Sequence, residues 1–258
     1  MVGIDKLRDY LGGYNTNYVI IGGTACNLNL EAADLQGRAT KDIDMIVVCE
    51  AINADYLHQF WAFIKAGGYM VYQIKSEDSM KPGYYRFIKP TDSSFPPCIE
   101  LFSRAPDNIQ IPENAYLVRI ETYEDYLSGF SAILIDNDYY YYAVGRSREI
   151  AGLQVLEKDA LVILKAKAYI NNRKRKEEVR QGHQDDIDKH KKDIYRLSFL
   201  FSGEERYDVP DVIKTDLKEF LAKLQTDSIS TKAIARAMKV SEVSMPNFIQ
   251  KIEIMYQL

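Results

Sequence analysis

The stretch VIIGGTACNLNLEAADLQGRATKDIDMIVV, residues 19–48, determines which fold we expect. An apolar run leads into a glycine pair, a helix-like segment follows, and a second apolar run begins with two aspartates. Asp42 and Asp44 flank a single residue, so on a β-strand both carboxylates project from the same face. Because two like charges at the start of a buried strand repel each other, we expect a cation to lie between them.

The glycine turn ahead of the helix-like segment has the features of an anion-binding site. Gly22 and Gly23 lack a Cβ, so a phosphate can approach their backbone N–H groups, where the helix dipole favours negative charge. The Thr24 hydroxyl can donate a further hydrogen bond. A Gly-Gly turn alone is more often structural than functional. Its meaning here therefore depends on the aspartates that follow.

A later apolar segment, CIELF, supplies a third carboxylate. Ile99 and Leu101 would face the core, which sends Glu100 to the opposite face of the strand. Carboxylate oxygens are the ligands that Mg²⁺ prefers, and Mg²⁺ brings nucleotide phosphates with it. Two such ions about 4 Å apart can activate an attacking hydroxyl and stabilise the leaving oxygen. We expect Asp42, Asp44 and Glu100 to bind Mg²⁺; a plain surface charge is the alternative for each acid taken separately.

The secondary structure expected from the sequence changes near residue 156. Up to that point strand-like and helix-like segments alternate, with a turn expected at Pro82 and Gly83. The tyrosine run at 139–142 predicts a β-strand whose rings cover the core, and a platform for stacking bases is the alternative. After Leu156, apolar residues recur at helical intervals, with a break at Gly182. The expected fold is α+β: a mixed sheet flanked by helices (1–156) and a helical domain (157–258).

Composition and charge argue against several classes of protein. The chain has 258 residues and a net charge of −4, which argues against non-specific coating of nucleic acid. The sequence contains no run of eighteen apolar residues and no apolar signal core, so we expect no membrane association and a cytoplasmic location. Cys26, Cys49 and Cys98 form no CxxC pair, which indicates buried free thiols in a reducing compartment.

Three segments of the helical part could bind nucleic acid. The basic runs NNRKRK (171–176) and KHKK (189–192) are equally consistent with a binding surface and with solvated helix faces. Near the C-terminus, STKAIARAMKVSEVSMPNFIQKI has the rhythm of a helix-turn-helix. Its second helix, expected to begin near Ser241, would soon meet Pro246 and carries few cations, which favours an ordinary helical pair.

These motifs together resemble a known family. The order of GGTA, a variable helix, RATKDIDMIVV and a later IELF resembles the nucleotidyltransferase fold of the polymerase-β-like superfamily. Within that superfamily, RATKDID followed by LVILKAKAYINNR and KHKKDIYRL is similar to the AbiEii/AbiGii toxin-type branch. Residues 19–102 carry the more specific motifs, and the helical half is a looser match.

The resemblance implies roles for the residues that match its motifs. The implied nucleotide-binding residues are Gly22, Gly23, Thr24, Lys165, Lys189, Lys192 and Asp193, and the implied catalytic and metal-binding residues are Asp42, Asp44 and Glu100. Arg38 precedes the paired aspartates, where support of the turn is implied, and Arg196 stands where many relatives carry an acid.

The resemblance also implies an activity. It is a Mg²⁺-dependent transfer of a nucleoside monophosphate from an NTP to an acceptor hydroxyl, with release of pyrophosphate. The toxin-type branch implies RNA, particularly a tRNA end, as acceptor and an antitoxin protein as partner in a toxin–antitoxin or phage-defence system. A protein side chain or a small molecule such as an aminoglycoside remains open as acceptor. The alternative is a non-catalytic binding protein that retains the nucleotidyltransferase fold.

Overall fold

The structure is a computed structural model that describes residues 2–76, 79–105, 117–120, 130–179, 184–227 and 229–258. Its strands are β1 (Tyr18–Ile21), β2 (Asp42–Val47), β3 (Met70–Ser76), β4 (Ser79–Ile88), β5 (Cys98–Ser103), β6 (Leu117–Ile120), β7 (Phe130–Leu134), β8 (Ser147–Ile150) and β9 (Leu153–Leu156). Its α-helices are α1 (Ile4–Leu11), α2 (Gly22–Glu31), α3 (Ala54–Gly67), α4 (Asn137–Gly145), α5 (Lys158–Val179), α6 (Gln184–Leu197), α7 (Asp211–Leu224), α8 (Thr231–Met238) and α9 (Met245–Tyr256).

The chain forms two compact units. The first contains Met1–Thr24 and Ala39–Leu156, and the second contains Ala25–Arg38 and Glu157–Leu258. Residues Ala25–Arg38 therefore group with the helices that follow Glu157 and not with the sheet.

The first unit is built on a mixed sheet. Its strands lie in the order β3-β4-β5-β2-β1-β9-β8, and β7 pairs with both β5 and β6. β1 runs antiparallel to β2, whereas β2 runs parallel to β5. The central strands are rich in Ile, Val and Leu, and their side chains form much of the buried core. The α+β class and the mixed sheet flanked by helices are as expected.

Helix α3 shows how local sequence sets the bounds of an element. The Asn53 side chain accepts a hydrogen bond from the backbone N–H of Tyr56 at 2.9 Å, which caps the N-terminus. Gly68 adopts the left-handed conformation, with φ of 62°, and its N–H bonds to the carbonyls of the last turn. The expected termination at Gly67 and Gly68 is confirmed. Phe60 and Phe63 lie fully buried on the inner face of the helix.

The turn expected at Pro82 and Gly83 is wrong. Both residues lie within β4, where Pro82 pairs with Gln73 and Gly83 with Tyr72 of β3. Proline is tolerated here because Pro82 lies outside the segment Arg86–Ile88 through which β4 pairs with β5.

The strand expected over the tyrosine run is also wrong, because Tyr139–Tyr142 lie in α4. Tyr139, Tyr140 and Ala143 are buried, and this i, i+1, i+4 spacing defines one face of a helix. The Tyr140 hydroxyl donates to a Glu50 carboxylate oxygen and accepts from the backbone N–H of Cys49. These contacts with a distant part of the chain outweigh the β propensity of tyrosine.

The second unit is helical, and most of its expected elements are present. α5 and α6 cover the long periodic segment, while the break expected at Gly182 lies outside the described residues. Helix α7 begins directly after Pro210, as expected. Helix α9 begins at Met245 and not near Ser241, because the Ser244 hydroxyl caps it by accepting from the N–H of Asn247. Pro246 then falls in the first turn, where its missing N–H is harmless.

Candidate functional site

The three acids predicted from the sequence lie on adjacent strands of the first unit. Asp44 of β2 is paired with Ile21 at the end of β1 and with Glu100 of β5. Two residues earlier on the same two strands, Asp42 is paired with Cys98. Directly paired residues present their side chains on the same face of a sheet. Asp42, Asp44 and Glu100 therefore share one face, and we call them the carboxylate cluster.

The glycine turn is shaped around Asp44. Gly22 begins α2 with φ of 67°, a conformation that favours glycine. A Cβ on Gly22 would lie 1.9 Å from Oδ2 and 2.8 Å from Cγ of Asp44, so the Asp44 side chain would have to move. The missing Cβ thus makes room for an aspartate carboxylate at the N-terminus of α2, whereas the sequence pointed only to room for a phosphate.

Thr24 holds the start of β2 in place. Its hydroxyl donates a hydrogen bond of 2.7 Å to the backbone carbonyl of Asp42, and the residue is fully buried. A hydroxyl has a single O–H to donate. In the structure, this donor connects the first turn of α2 to the strand that carries both aspartates. The nucleotide-binding role of Thr24 stays a prediction.

Arg86 of β4 is a member of this site that sequence reasoning missed. It is paired in register with Glu100, and its Nε lies 3.1 Å from Oε1 of Glu100. Its guanidinium also stacks over the ring of Tyr72, 5.5 Å from the ring centroid. Desolvation opposes the charge of Arg86, but the Glu100 carboxylate and the Cys98 thiol raise its pKa above the usual value. Alternation with the buried Phe87 was the available signal, since it sends Arg86 to the face opposite the core.

The donor set of this face fits one Mg²⁺ better than two. Among the described residues, no group of three or more His, Cys, Asp or Glu side chains is placed to hold a metal ion. Asp42 and Asp44 still offer two carboxylates on one strand face, and Mg²⁺ in nucleotide sites is commonly held by one or two carboxylates plus phosphates. Glu100, in contrast, contacts Arg86.

A second charged cluster lies within the helical unit. Asp193 of α6 is fully buried, and its carboxylate accepts hydrogen bonds from Lys165 Nζ at 2.7 Å, from Arg38 Nε at 3.0 Å and from Arg196 at 3.1 Å. We call these four residues the Asp193 cluster. Burial alone would raise the pKa of the Asp193 carboxyl, but Lys165 and Arg38 hold that pKa below its usual value. Lys165 is 4% exposed, so this ion pair neutralises a buried ammonium group.

Two further titratable groups lie against the Asp193 cluster. Burial and the positive charges of Lys165 and Lys189 lower the pKa of His190 to about 3. Its imidazole is therefore neutral at pH 7, with Nε2 lying 3.3 Å from the side-chain nitrogen of Asn172. Burial raises the pKa of the Cys26 thiol to about 12. Neither group is suited to nucleophilic or acid–base chemistry near neutral pH.

Several cations of the two basic runs are paired with acids. Lys174 contacts Glu219 at 3.3 Å, and Arg173 lies 3.5 Å from Asp227. Lys191 is 2% exposed and contacts Asp227, so it cannot meet an external ligand in this conformation. Lys174 and Lys192 keep much of their side-chain surface exposed, at 52% and 40%.

The structure divides the predicted site residues between the two units. The first unit brings together Gly22, Gly23, Thr24, Asp42, Asp44 and Glu100, and the second holds Lys165, Lys189, Lys192 and Asp193. Arg38, expected to support the glycine turn, donates two hydrogen bonds to Asp193. Arg196, which stands where an acid is common, serves as a third cation on the same carboxylate.

Other features expected from composition can be compared with the structure. Cys26, Cys49 and Cys98 are free thiols, and Cys26 and Cys98 are buried, while Cys49 is partly exposed. In the described ranges, every helix is too short or too polar to cross a lipid bilayer. The chain matches no model of a known protein family and no curated protein. Inference about its activity therefore rests on its own residues and their geometry.

Proposed function

We propose that this protein is a Mg²⁺-dependent nucleotidyltransferase with the polymerase-β-like fold. It would transfer a nucleoside monophosphate from an NTP to an acceptor hydroxyl. The observation that carries the proposal is the strand–glycine turn–helix unit in which Gly22 faces Asp44, with Asp42 and Glu100 on the same sheet face. A helix N-terminus that attracts phosphate beside paired carboxylates that attract Mg²⁺ suits a metal–nucleotide complex.

In this proposal, different residues of the first unit bind the phosphates and the metal ion. The backbone N–H groups at Gly22 and Gly23 bind phosphate oxygens at the N-terminus of α2. Asp42 and Asp44 would hold the Mg²⁺, and Thr24 keeps Asp42 in position by donating to its backbone carbonyl. When bound, Mg²⁺ lowers the pKa of the acceptor hydroxyl and offsets charge on the phosphates. Most of the rate enhancement then comes from positioning and charge neutralisation.

The prediction that lysines of the helical unit bind phosphate is kept within the proposal. Lys165 is the principal cation of that prediction, but it is 4% exposed and its ammonium pairs with Asp193 at 2.7 Å, so it would bind phosphate only after this ion pair opens. Lys189, which is partly exposed, and Lys192 are the secondary cations. A lysine is a compact charge that binds phosphate without demanding bidentate geometry.

RNA, particularly a tRNA end, is the acceptor we propose, as in toxin-type enzymes of toxin–antitoxin or phage-defence systems. The exposed cations of the basic runs, such as Lys174, Arg175 and Lys192, would contact its backbone. Contacts of this kind release counterions, so acceptor binding should weaken as salt rises. A cytoplasmic location and an antitoxin partner belong to the same proposal.

A non-catalytic binding protein is the rival function, and particular contacts favour it. The Thr24 hydroxyl is used by a backbone carbonyl, and Glu100 is engaged by Arg86. Within the described ranges, no three potential ligands converge on a metal position. A chain that retained the fold for binding alone would satisfy its polar groups internally in this way.

A label-transfer assay distinguishes a nucleotidyltransferase from a non-catalytic binding protein. The protein is incubated with NTPs labelled at the α-phosphate, Mg²⁺ and total RNA, and label in RNA is measured on a gel. Wild type should label RNA, and Asp44→Asn should reduce labelling roughly 100-fold or more, because one ligand of the cation is lost. Asp9→Asn, on the exposed face of α1, is the matched control and should behave as wild type.

Two outcomes would count against the assignment. Equal labelling by wild type and Asp44→Asn would reject the site. Absence of transfer to RNA, protein or small-molecule hydroxyls, with NTP binding retained, would favour the binding protein.

A further inference from the structure

A row of charged side chains crosses three neighbouring strands of the first unit. Asp44 on β2 is paired with Glu100 on β5, and Glu100 is paired with Arg86 on β4. Across the sheet, the row thus consists of two acids, Asp44 and Glu100, followed by one base, Arg86. Two carboxylates directly opposite each other repel, and a cation on the outer side of Glu100 relieves that repulsion.

Arg86 is fixed in this row from two sides. Its Nε lies 3.1 Å from Glu100, and its guanidinium lies over the ring of Tyr72 on β3. Tyr72 is itself held by an edge-on contact with Tyr85, with ring centroids 6.2 Å apart. A planar guanidinium that already lies between a carboxylate and an aromatic face loses less freedom when a ligand binds than one without such contacts, although 42% of the Arg86 side chain is exposed.

We propose that the Arg86 guanidinium takes the place of a second divalent cation beside the carboxylate cluster, so that the site would bind a single Mg²⁺, for which Asp42 and Asp44 would supply the carboxylates. This inference rests on the proposed function and changes its expected metal content from two ions to one. Glu100 is then a positioning residue, which holds Arg86 and does not coordinate the metal. The terminal amino groups of Arg86 are the donors through which it would bind a phosphate oxygen.

The charges of the carboxylate cluster and Arg86 together agree with one metal ion. Three carboxylates and one guanidinium carry a net charge of two negative units, which one divalent cation balances. Arginine remains protonated at any relevant pH and suits the stabilisation of charge on a transferring phosphoryl group. Because Oε1 of Glu100 is already in contact with Arg86, a second ion bound through that oxygen would have to displace the guanidinium.

Counting bound metal ions tests the inference without an activity assay. Metal-free protein is titrated with Mn²⁺, and the free ion is followed by its electron paramagnetic resonance signal. Wild type should bind one Mn²⁺ per chain, and Glu100→Gln should also bind one. Arg86→Gln should bind two, since Glu100 becomes available as a ligand, whereas Arg86→Lys, which keeps the charge, should bind one. Arg148→Gln, on the distant strand β8, is the matched control and should bind one.

Several results would overturn the inference. Wild type that binds two ions, with Glu100→Gln reduced to one, would make Glu100 a metal ligand. Folded Arg86→Gln that still binds one ion would show that Arg86 does not occupy the second position. If Arg86→Gln fails to fold, the comparison of wild type with Glu100→Gln alone decides. These results leave nucleotidyl transfer intact, whereas a wild type that binds no Mn²⁺ and transfers no label would reject the proposed function itself.

Discussion

The carboxylate cluster of the first unit and the Asp193 cluster of the second contain the same kinds of charged groups in opposite proportions. In the first, three carboxylates share a sheet face with the guanidinium of Arg86. In the second, three cations converge on the carboxylate of Asp193. The surroundings differ as well, since Asp42 is exposed while Asp193 is fully buried.

The two clusters differ in what they contribute to the folded protein. A buried carboxylate without partners would cost several kcal/mol, so the cations around Asp193 are needed for folding. Asp44 and Glu100, in contrast, face each other as like charges, which lowers stability. An arrangement that lowers stability is retained when a ligand uses it. The same change, aspartate to asparagine, should therefore destabilise the protein strongly in the Asp193 cluster and alter its stability little in the carboxylate cluster.

Asp193→Asn should give the largest effect on stability. Removing this carboxylate charge takes away the counter-ion of the buried Lys165, and breaking a buried ion pair in this way costs roughly 3–5 kcal/mol. Urea denaturation followed by circular dichroism measures the loss. Asp185→Asn, at an exposed position of the same helix, is the control and should cost less than about 1 kcal/mol. A loss below 1 kcal/mol for Asp193→Asn would remove the contrast between the clusters.

The Asp193 cluster should also give the protein a dependence on pH that His190 controls. The folded pKa of His190 is about 3, while an unfolded histidine titrates near 6.5. Below about pH 6.5 the unfolded chain gains a proton that the folded chain does not, so stability falls as pH falls. Between pH 7 and pH 5, wild type should lose about 2 kcal/mol more than His190→Gln.

Urea denaturation at a series of pH values measures this difference. His58→Gln, at an exposed position of α3, is the control and should keep the wild-type slope. Parallel curves for wild type and His190→Gln would mean that the imidazole becomes protonated in the folded protein. The positive charges of Lys165 and Lys189 would then be too weak to keep the imidazole neutral.

The fold could be predicted from sequence where the signal is local. The glycine turn and the two strands that flank residues 22–41 follow from apolar runs and from backbone freedom within a few residues. The tyrosine run could not be predicted, because its helix depends on Tyr140 reaching Glu50, 90 residues away. Pro82 was misplaced for a similar reason, since its place within β4 depends on where the pairing of β4 with β5 ends.

The same distinction applies to the two charged clusters. The i, i+2 spacing of Asp42 and Asp44 can be read directly from the sequence. The alternation of apolar and polar residues places Glu100 on the outer face of its strand. The partner of Glu100 required the register between β4 and β5, which sequence does not supply. The contact of Arg38 with Asp193 joins residues 155 positions apart, so no local pattern could indicate it.

The smallest expected effect, the stability of Asp44→Asn, bears most directly on why the acids are together. Loss of the Asp44 charge should change the free energy of unfolding by less than about 1 kcal/mol, because relief of the repulsion from Glu100 is offset by loss of a favourable carboxylate at the N-terminus of α2. Urea denaturation of Asp44→Asn and Asp9→Asn in parallel measures it, with Asp9→Asn expected to be unchanged within error. A variant more stable than wild type yet unable to transfer label would mean that Asp44 serves a ligand at the expense of the fold. A loss above 1 kcal/mol would instead make Asp44 a structural partner, like Asp193, and the two clusters would no longer differ in kind.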